Sequence, residues 1–404
     1  MSSAPIELQP VEFDPFSSGE VTRVVSPTAA QREIWLACAM DPEASAAYNL
    51  SLTIRIVGAV DIAALRQSFC DLVDRHDALR MTFSSDGRHA SVSNDPPREL
   101  LSVDLRGADE PERSFGEILR AEAKRPYDLE RGPLFRAAVV RLSDQETRVI
   151  FGAHHIVCDG WSLAVMLREL GPLYARRREP TPPALAPAPS FVEYAEQDTA
   201  ERTEADLKYF VSRLGDLAAP LDLPTDRPRR PGRSPASSVA SRTLCAELFA
   251  AIKQQAATEG VTPSVALMTA WSAFLTQISG QTDWVMGLPL GLQSRIGKPA
   301  LVGQCTHLVP LRVKLDDTVS VRDAMRALRG AVLDVSEHPY ATVGDLLPRL
   351  SLRRDPSRHP LLSVLFNFDA QFSSAQPVFA ECTARFAPNA RVAETFELFL
   401  NAFE

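Results

Sequence analysis

The chain of 404 residues is poor in cysteine, and its six cysteines (Cys38, Cys70, Cys158, Cys245, Cys305 and Cys382) form no CxxC pair. Thiols this sparse exclude a disulfide framework and fit a reducing compartment. No apolar run approaches the roughly 18 residues that would cross a bilayer. Met1 to Glu20 hold no Lys or Arg and no apolar core, which excludes a secretory signal. An excess of positive charge is also missing. With 43 Lys and Arg against 51 Asp and Glu, the formal charge is −8, without the electrostatic footprint of a general nucleic-acid binder. The two dense basic clusters, Arg176–Arg178 and Arg229–Arg233, lie beside prolines and read as solvated linker. No short repeat is visible. What remains is a composition of 45% hydrophobic and 23% charged residues, ordinary for a globular chain able to bury a core. Its length predicts about two or three domains, and a cytoplasmic enzyme is the expected class.

Helices and strands alternate in both halves, so the fold class is α/β (α+β). Residues 1–25 are polar and Pro-rich and read as a leader. Thr28 with Gln31 makes a capping box for a first helix. A second helix starts at Asp61, with Ile62, Leu65, Phe69, Leu72 and Val73 at helical spacing. Leu134–Leu142 and Arg148–Ala153 read as a hairpin that ends at His154, and Trp161–Arg177 reads as a helix. The Pro-rich stretch 179–190 is the expected linker. It divides residues 26–178 from a second unit, 191–404, that opens with one long helix to about Leu217. Thr262-Pro263 starts a further helix ending at Gly280. Strands are expected at Asp283–Leu288, Leu308–Leu315, Leu361–Asp369 and Thr395–Phe403, and helices at Ser320–Glu337 and Thr342–Leu350. The strand pattern still runs at Glu404, so the second unit is expected to continue past it.

Two of the seven histidines, His154 and His155, are adjacent at a strand end, in the segment His154-His155-Ile156-Val157-Cys158-Asp159-Gly160. Histidine titrates near neutrality and suits proton transfer. Asp159 can hold the loop or orient a histidine through a buried ion pair. Gly160 brings backbone close to a substrate, and its N–H can face an oxyanion at a helix start. Three other readings stand beside this one. The histidines are satisfied core groups, or His154, His155, Cys158 and Asp159 bind a metal, or Cys158 is a nucleophile. Adjacent strand residues point to opposite faces and converge poorly on one ion, and a neighbouring carboxylate disfavours the Cys158 thiolate.

The segment resembles the HHxxxDG motif of nonribosomal peptide synthetase condensation domains. Further segments resemble that family in order: SPTAAQREIW at Ser26–Trp35, RHDALRMTF at Arg75–Phe83, FVEYA at Phe191–Ala195, GQCTHLVPLR at Gly303–Arg312 and RDPSRHPL at 354–361. The resemblance spans about residues 20–404. It implies two chloramphenicol-acetyltransferase-like lobes arranged as a V with a central tunnel. It also implies amide formation between an acyl or peptidyl thioester and the amine of an aminoacyl thioester. Both substrates would ride on phosphopantetheine arms of carrier proteins, with no intrinsic cofactor and no metal; acyl-CoA is an alternative donor. The expected partners are donor and acceptor carrier domains and a downstream adenylation domain, with neither nucleic acid nor membrane, and the excised domain would be a monomer. By this resemblance His155 accepts a proton from, or positions, the amine, and Gly160 offers its N–H to the oxyanion. His154 is structural, and Asp159 points away from the tunnel to pair with Arg80 or, secondarily, Arg75. Trp161, Asn367 and His307 are expected near the tunnel.

Two departures from the family pattern stand out. His307 occupies a place where Asn is usual, and Thr342-Val343-Gly344 replaces the usual Pro-Phe-Glu. His154 and His155 argue against a heterocyclization domain. The remaining subtypes are a starter domain that N-acylates the first amino acid, which is the preferred reading, and a domain for L-configured donors that receives a peptidyl or polyketide chain. An epimerization domain and an acyl-CoA-dependent N-acyltransferase are less favoured. Few residues precede the first motif, so the donor is expected to arrive from another chain. Donor chain length, acceptor amino acid and product are not legible.

Overall fold

Local capping sets the first helices as the sequence predicts. The Thr28 hydroxyl accepts from Gln31 N at 3.2 Å and the Gln31 side chain accepts from Thr28 N at 3.1 Å, opening the helix Ala29–Met40. Asp61 caps Ile62–Arg75 through the Ala64 amide. The computed structural model describes residues 21–404 apart from 42, 180–183, 198, 218, 231, 353, 354, 356, 370–374 and 380. Most of the expected leader, 1–20, and part of the expected linker therefore lie outside the described residues. Val21–Val25, expected in the leader, instead forms a strand antiparallel to Ala90–Ser93, which also pairs with Met81–Phe83. The segment Val-Thr-Arg-Val-Val pairs with an edge that no local signal announces.

The strand Glu146–His154 is the centre of a five-stranded sheet, in the order Thr383–Pro388, Asn49–Val57, Glu146–His154, Phe135–Arg141, Glu99–Asp104. It runs antiparallel to both neighbours, with Asn49 and His154 opposite each other. Successive side chains face opposite sides, and both sides are covered. Val149, Phe151 and Ala153 pack with the helices Ile62–Arg75 and Gly160–Ala175, while Ile150 meets Phe115 of the helix Pro111–Lys124. A strand covered on both faces reads as nearly continuous apolar sequence, as VIFGA does here. The second half carries a four-stranded sheet, Leu398–Phe403, Val364–Asp369, Asp283–Gly291, Thr306–Lys314. Its core gathers Leu207, Phe210, Met268, Trp284, Leu311 and Leu328. Among the described residues no helix is long and apolar enough to cross a membrane.

Contacts run across the division expected at 179–190. The expected long helix from Phe191 is two, Phe191–Ala195 and Ala200–Leu214. The first turn is fixed to the first half, because Asp77 accepts from the Phe191 and Val192 amides at 2.9 and 3.2 Å. Phe191, Val192 and Tyr194 lie in the first core, and Leu207, Phe210 and Leu214 in the second. The second half also sends chain back. Thr383–Pro388 completes the first sheet, pairing with Asn49–Val57. Leu301, Val302 and Cys305 bury in the first core.

Gly303 sits in that returning loop against the Phe191 ring. A Cβ there would fall 1.9 Å from Phe191 Cδ2, so the backbone or the buried ring must move. Overpacking of this kind costs about 1–3 kcal/mol. Gly303→Ala is expected to lower the urea midpoint of unfolding accordingly; an unchanged midpoint would show that the loop is not packed as described.

Candidate active site

The strand Glu146–His154 delivers both histidines into a tightly held turn. Leu134 O accepts from His154 N at 2.9 Å, and Tyr48 O accepts from His155 N at 2.8 Å. The capping glutamine, Gln31, reaches across and donates Nε2–H to Ile156 O at 2.9 Å. The two rings then diverge, which separates them as ligands for any one ion. His154 is fully buried, and its Nδ1 accepts from Ile156 N at 3.2 Å, so Nε2 carries the proton and faces Cys38 Sγ at 3.8 Å. Tyr48 and Tyr127 flank the ring. Burial, then the neighbouring His155 and Arg136, push its pKa down to about 3. The buried His154 ring is therefore neutral near pH 7.

His155 turns toward a cavity of about 2630 Å3 lined by both halves. Its Nδ1 lies 3.0 Å from Gln304 Oε1. Gln304 donates its own Nε2–H to Thr306 O at 2.9 Å, which fixes the amide so that Oε1 can only accept. Nδ1 of the neutral ring must then hold the proton. Nε2 is left with its lone pair and no hydrogen-bond partner among the described residues. Burial, with Arg391 adding to it against Asp159, holds the His155 pKa below the usual histidine value. The ring is a neutral base at pH 7.

Asp159 is fully buried and caps the helix Gly160–Ala175. Its Oδ1 accepts from Ser162 N at 2.8 Å and lies 2.6 Å from the Ser162 hydroxyl. Its Oδ2 accepts from Gln293 Nε2 at 2.8 Å, Cys305 N at 3.1 Å and Thr306 Oγ1 at 3.0 Å. This corrects the expected arginine partner. Arg80 donates to Ser93 O, and Arg75 to Glu169 and Ala186 O. The carboxylate needs neither, because a helix N-terminus and neutral donors saturate its oxygens.

Gly160 opens the helix, and its amide has no partner among the described residues, as the first turn of a helix leaves it. Gly160, Trp161, Asn367 and His307 line the same cavity as His155. Trp161 Nε1 donates to Pro299 O at 2.8 Å. Asn367 donates to Asp369 Oδ2 and Asn401 Oδ1. His307 is buried beside Tyr340, with its pKa lowered by burial. Cys158 is fully buried, and burial with Asp159 raises its thiol pKa well above the ordinary value. Both causes disfavour the thiolate there. Sequence reading missed Gln293, Gln304, Ser162 and Asp369. Gln304 and Ser162 lie inside or beside motif segments, but nothing in the sequence ties them to Asp159 or His155.

The family model described as Condensation domain matches residues 21–404. A linear gramicidin synthase of Brevibacillus parabrevis is 34% identical over 83% of this chain, which spans 4% of that protein. Phosphinothricin tripeptide synthetase PhsC of Streptomyces viridochromogenes is 30% identical over 83% of this chain and 32% of its own length. The chain thus spans a small part of the curated relatives it matches. Among solved structures, a variant of the starter condensation domain of rhizomide synthetase RzmA in complex with C8-CoA has a TM-score of 0.81 at 21% identity, covering 95% of this chain and 86% of that one. The X-domain in complex with OxyB from teicoplanin biosynthesis has a TM-score of 0.78 at 24% identity, covering 96% and 86%. Both share the fold.

The neutral state of His154 has a consequence for stability. In the unfolded chain histidine takes up a proton near pH 6.5, whereas the folded site refuses it until about pH 3. The unfolded state binds more protons between these values, so stability rises with pH there. It is full above pH 6.5 and is lost as pH falls toward 3, with about 2 kcal/mol gone by pH 5 from this residue. Urea unfolding at pH 7 and pH 5 is expected to show this loss, with a smaller loss in His154→Gln. Equal losses in both proteins would contradict the assignment.

Proposed function

The chain belongs to the condensation-domain family, and we propose that it forms an amide between a carrier-bound acyl or peptidyl thioester and the amine of a carrier-bound aminoacyl thioester. The observation that carries this reading is the meeting, on one cavity, of the His155 Nε2 and the Gly160 amide, both without a hydrogen-bond partner among the described residues. The acceptor nitrogen adds to the thioester carbonyl carbon, and the developing oxyanion takes the Gly160 N–H. His155 Nε2 receives the proton from the nitrogen. Collapse of the tetrahedral species expels the thiolate, which recovers that proton from His155. The amide remains on the acceptor arm. His154, Asp159 and the loop bearing Gln304 keep the base in place; Trp161, His307 and Asn367 shape the wall. Two lobes in a V would let the arms enter from opposite mouths.

We favour the starter role, in which a fatty or short acyl donor begins the chain. The cavity wall includes Leu36, Met40, Leu50, Trp271 and Phe274, surface suited to an alkyl chain. Elongation with a peptidyl or polyketide donor is the alternative. The X-domain, in complex with OxyB, has this fold too, which makes a direct assay necessary.

That assay is intact-protein mass spectrometry of an aminoacyl carrier offered acyl-carrier, peptidyl-carrier and acyl-CoA donors. A mass gain of one acyl group is expected, with His155→Ala slower by about 10²–10⁴. A fatty acyl donor as the best substrate supports the starter role, and a peptidyl donor supports elongation. No gain with any donor would refute amide formation.

A further inference from the structure

Asp369 ends the strand Val364–Asp369 of the second half and faces the helix start of the first. Its Oδ1 lies 3.9 Å from the point where a side chain on Gly160 would begin. Its Oδ2 accepts from Asn367 Nδ2 at 3.0 Å, and the other Asn367 N–H goes to Asn401 Oδ1 at 2.9 Å. Both protons of that amide are used, so Asn367 holds the carboxylate in one orientation. No guanidinium or ammonium pairs with Asp369 among the described residues. Arg391, on the same cavity wall, is engaged by Glu394 at 2.7 Å. Among the described residues, the charge that bears on Asp369 is Asp159, of the same sign; burial, with that neighbour and against the Asn367 hydrogen bond, raises the Asp369 pKa. A half-buried carboxylate held rigid without a counter-charge stands in need of a cation. The acceptor of the proposed reaction brings one, because an α-amine is largely ammonium near and below neutral pH.

We propose that Asp369 is the anchor for the acceptor's ammonium, holding its nitrogen beside Gly160 and within the cavity that His155 faces. The inference rests on the amide-forming reading and adds to it a specificity-determining residue. The ammonium docks on Asp369, releases a proton to water as the thioester approaches, and attacks as the free amine. Selection for an amine over a hydroxyl nucleophile follows from the charge. Asp369 is a positioning residue, and its loss affects acceptor capture more than the step that His155 serves.

The test uses unreactive thioether analogues of alanyl-pantetheine and of its 2-hydroxy counterpart, titrated by calorimetry at pH 6.5. The wild-type protein is expected to prefer the amine by roughly tenfold or more, as for a charge-assisted hydrogen bond. Asp369→Asn is expected to reduce that preference below about twofold while binding the hydroxy analogue as before. Asp369→Ser gives the same reading if the amide variant fails to fold. A wild type without preference, a variant that keeps it, or equal weakening of both analogues would each overturn the proposal. Turnover of the wild type in the mass assay runs in parallel. Turnover with amine preference intact in the variant sinks this inference alone, whereas an inert wild type sinks the amide-forming reading with it.

Discussion

A buried carboxylate, Asp159, with no cation paired to it among the described residues governs this structure. Removing an ion such as Asp159 from water costs several kcal/mol. That cost is offset here by hydrogen bonds to the charged group and by the positive end of the helix Gly160–Ala175. The donors come from both halves of the chain. Ser162 belongs to the first, while Gln293 and Cys305 belong to the loop that returns from the second, and Thr306 opens the strand that follows it. Asp159 is fully solvated by protein groups only when that loop is seated. The close contact of Gly303 with Phe191 and the burial of Leu301 and Val302 seat it.

The chemistry of the site follows from the same loop. Gln304 lies between Gly303 and Cys305, so seating the loop on Asp159 brings its amide to His155. Its second bond, to Thr306 O, makes it an acceptor toward the ring. The tautomer of the base is thus set by a residue whose position depends on Asp159, 146 positions before Cys305. Two adjacent histidines acquire opposite orientations. The His154 ring is turned into the core with its proton on Nε2, and the His155 ring is turned outward with its proton on Nδ1. Burial keeps both neutral.

Features set by neighbours in sequence were legible. The capping box at Thr28 and the helix starts at Asp61, Thr262 and Ser320 depend on groups three residues apart. The hairpin before His154 and the motif itself are continuous in the chain. Features that depend on distant partners were not. Gln293 and Gln304 lie 134 and 149 positions from the groups they bond, and polar side chains at such distance carry no local pattern. The arginine partner expected for Asp159 failed for a physical reason: a buried carboxylate needs donors, and these need not be charged. The packing of Phe191 was not legible either, because a proline-rich stretch signals a break in regular structure. It does not mark where one core ends, and Phe191 still packs in the first.

The central claim is that the seated loop leaves His155 neutral with a bare Nε2. Nitrogen-15 NMR of histidine-labelled protein, with His155 assigned by comparison with the His155→Ala variant, reads this state directly. A protonated Nδ1 and an unprotonated Nε2 at pH 7 is the predicted result. A proton on Nε2, or an imidazolium ring at that pH, would contradict it.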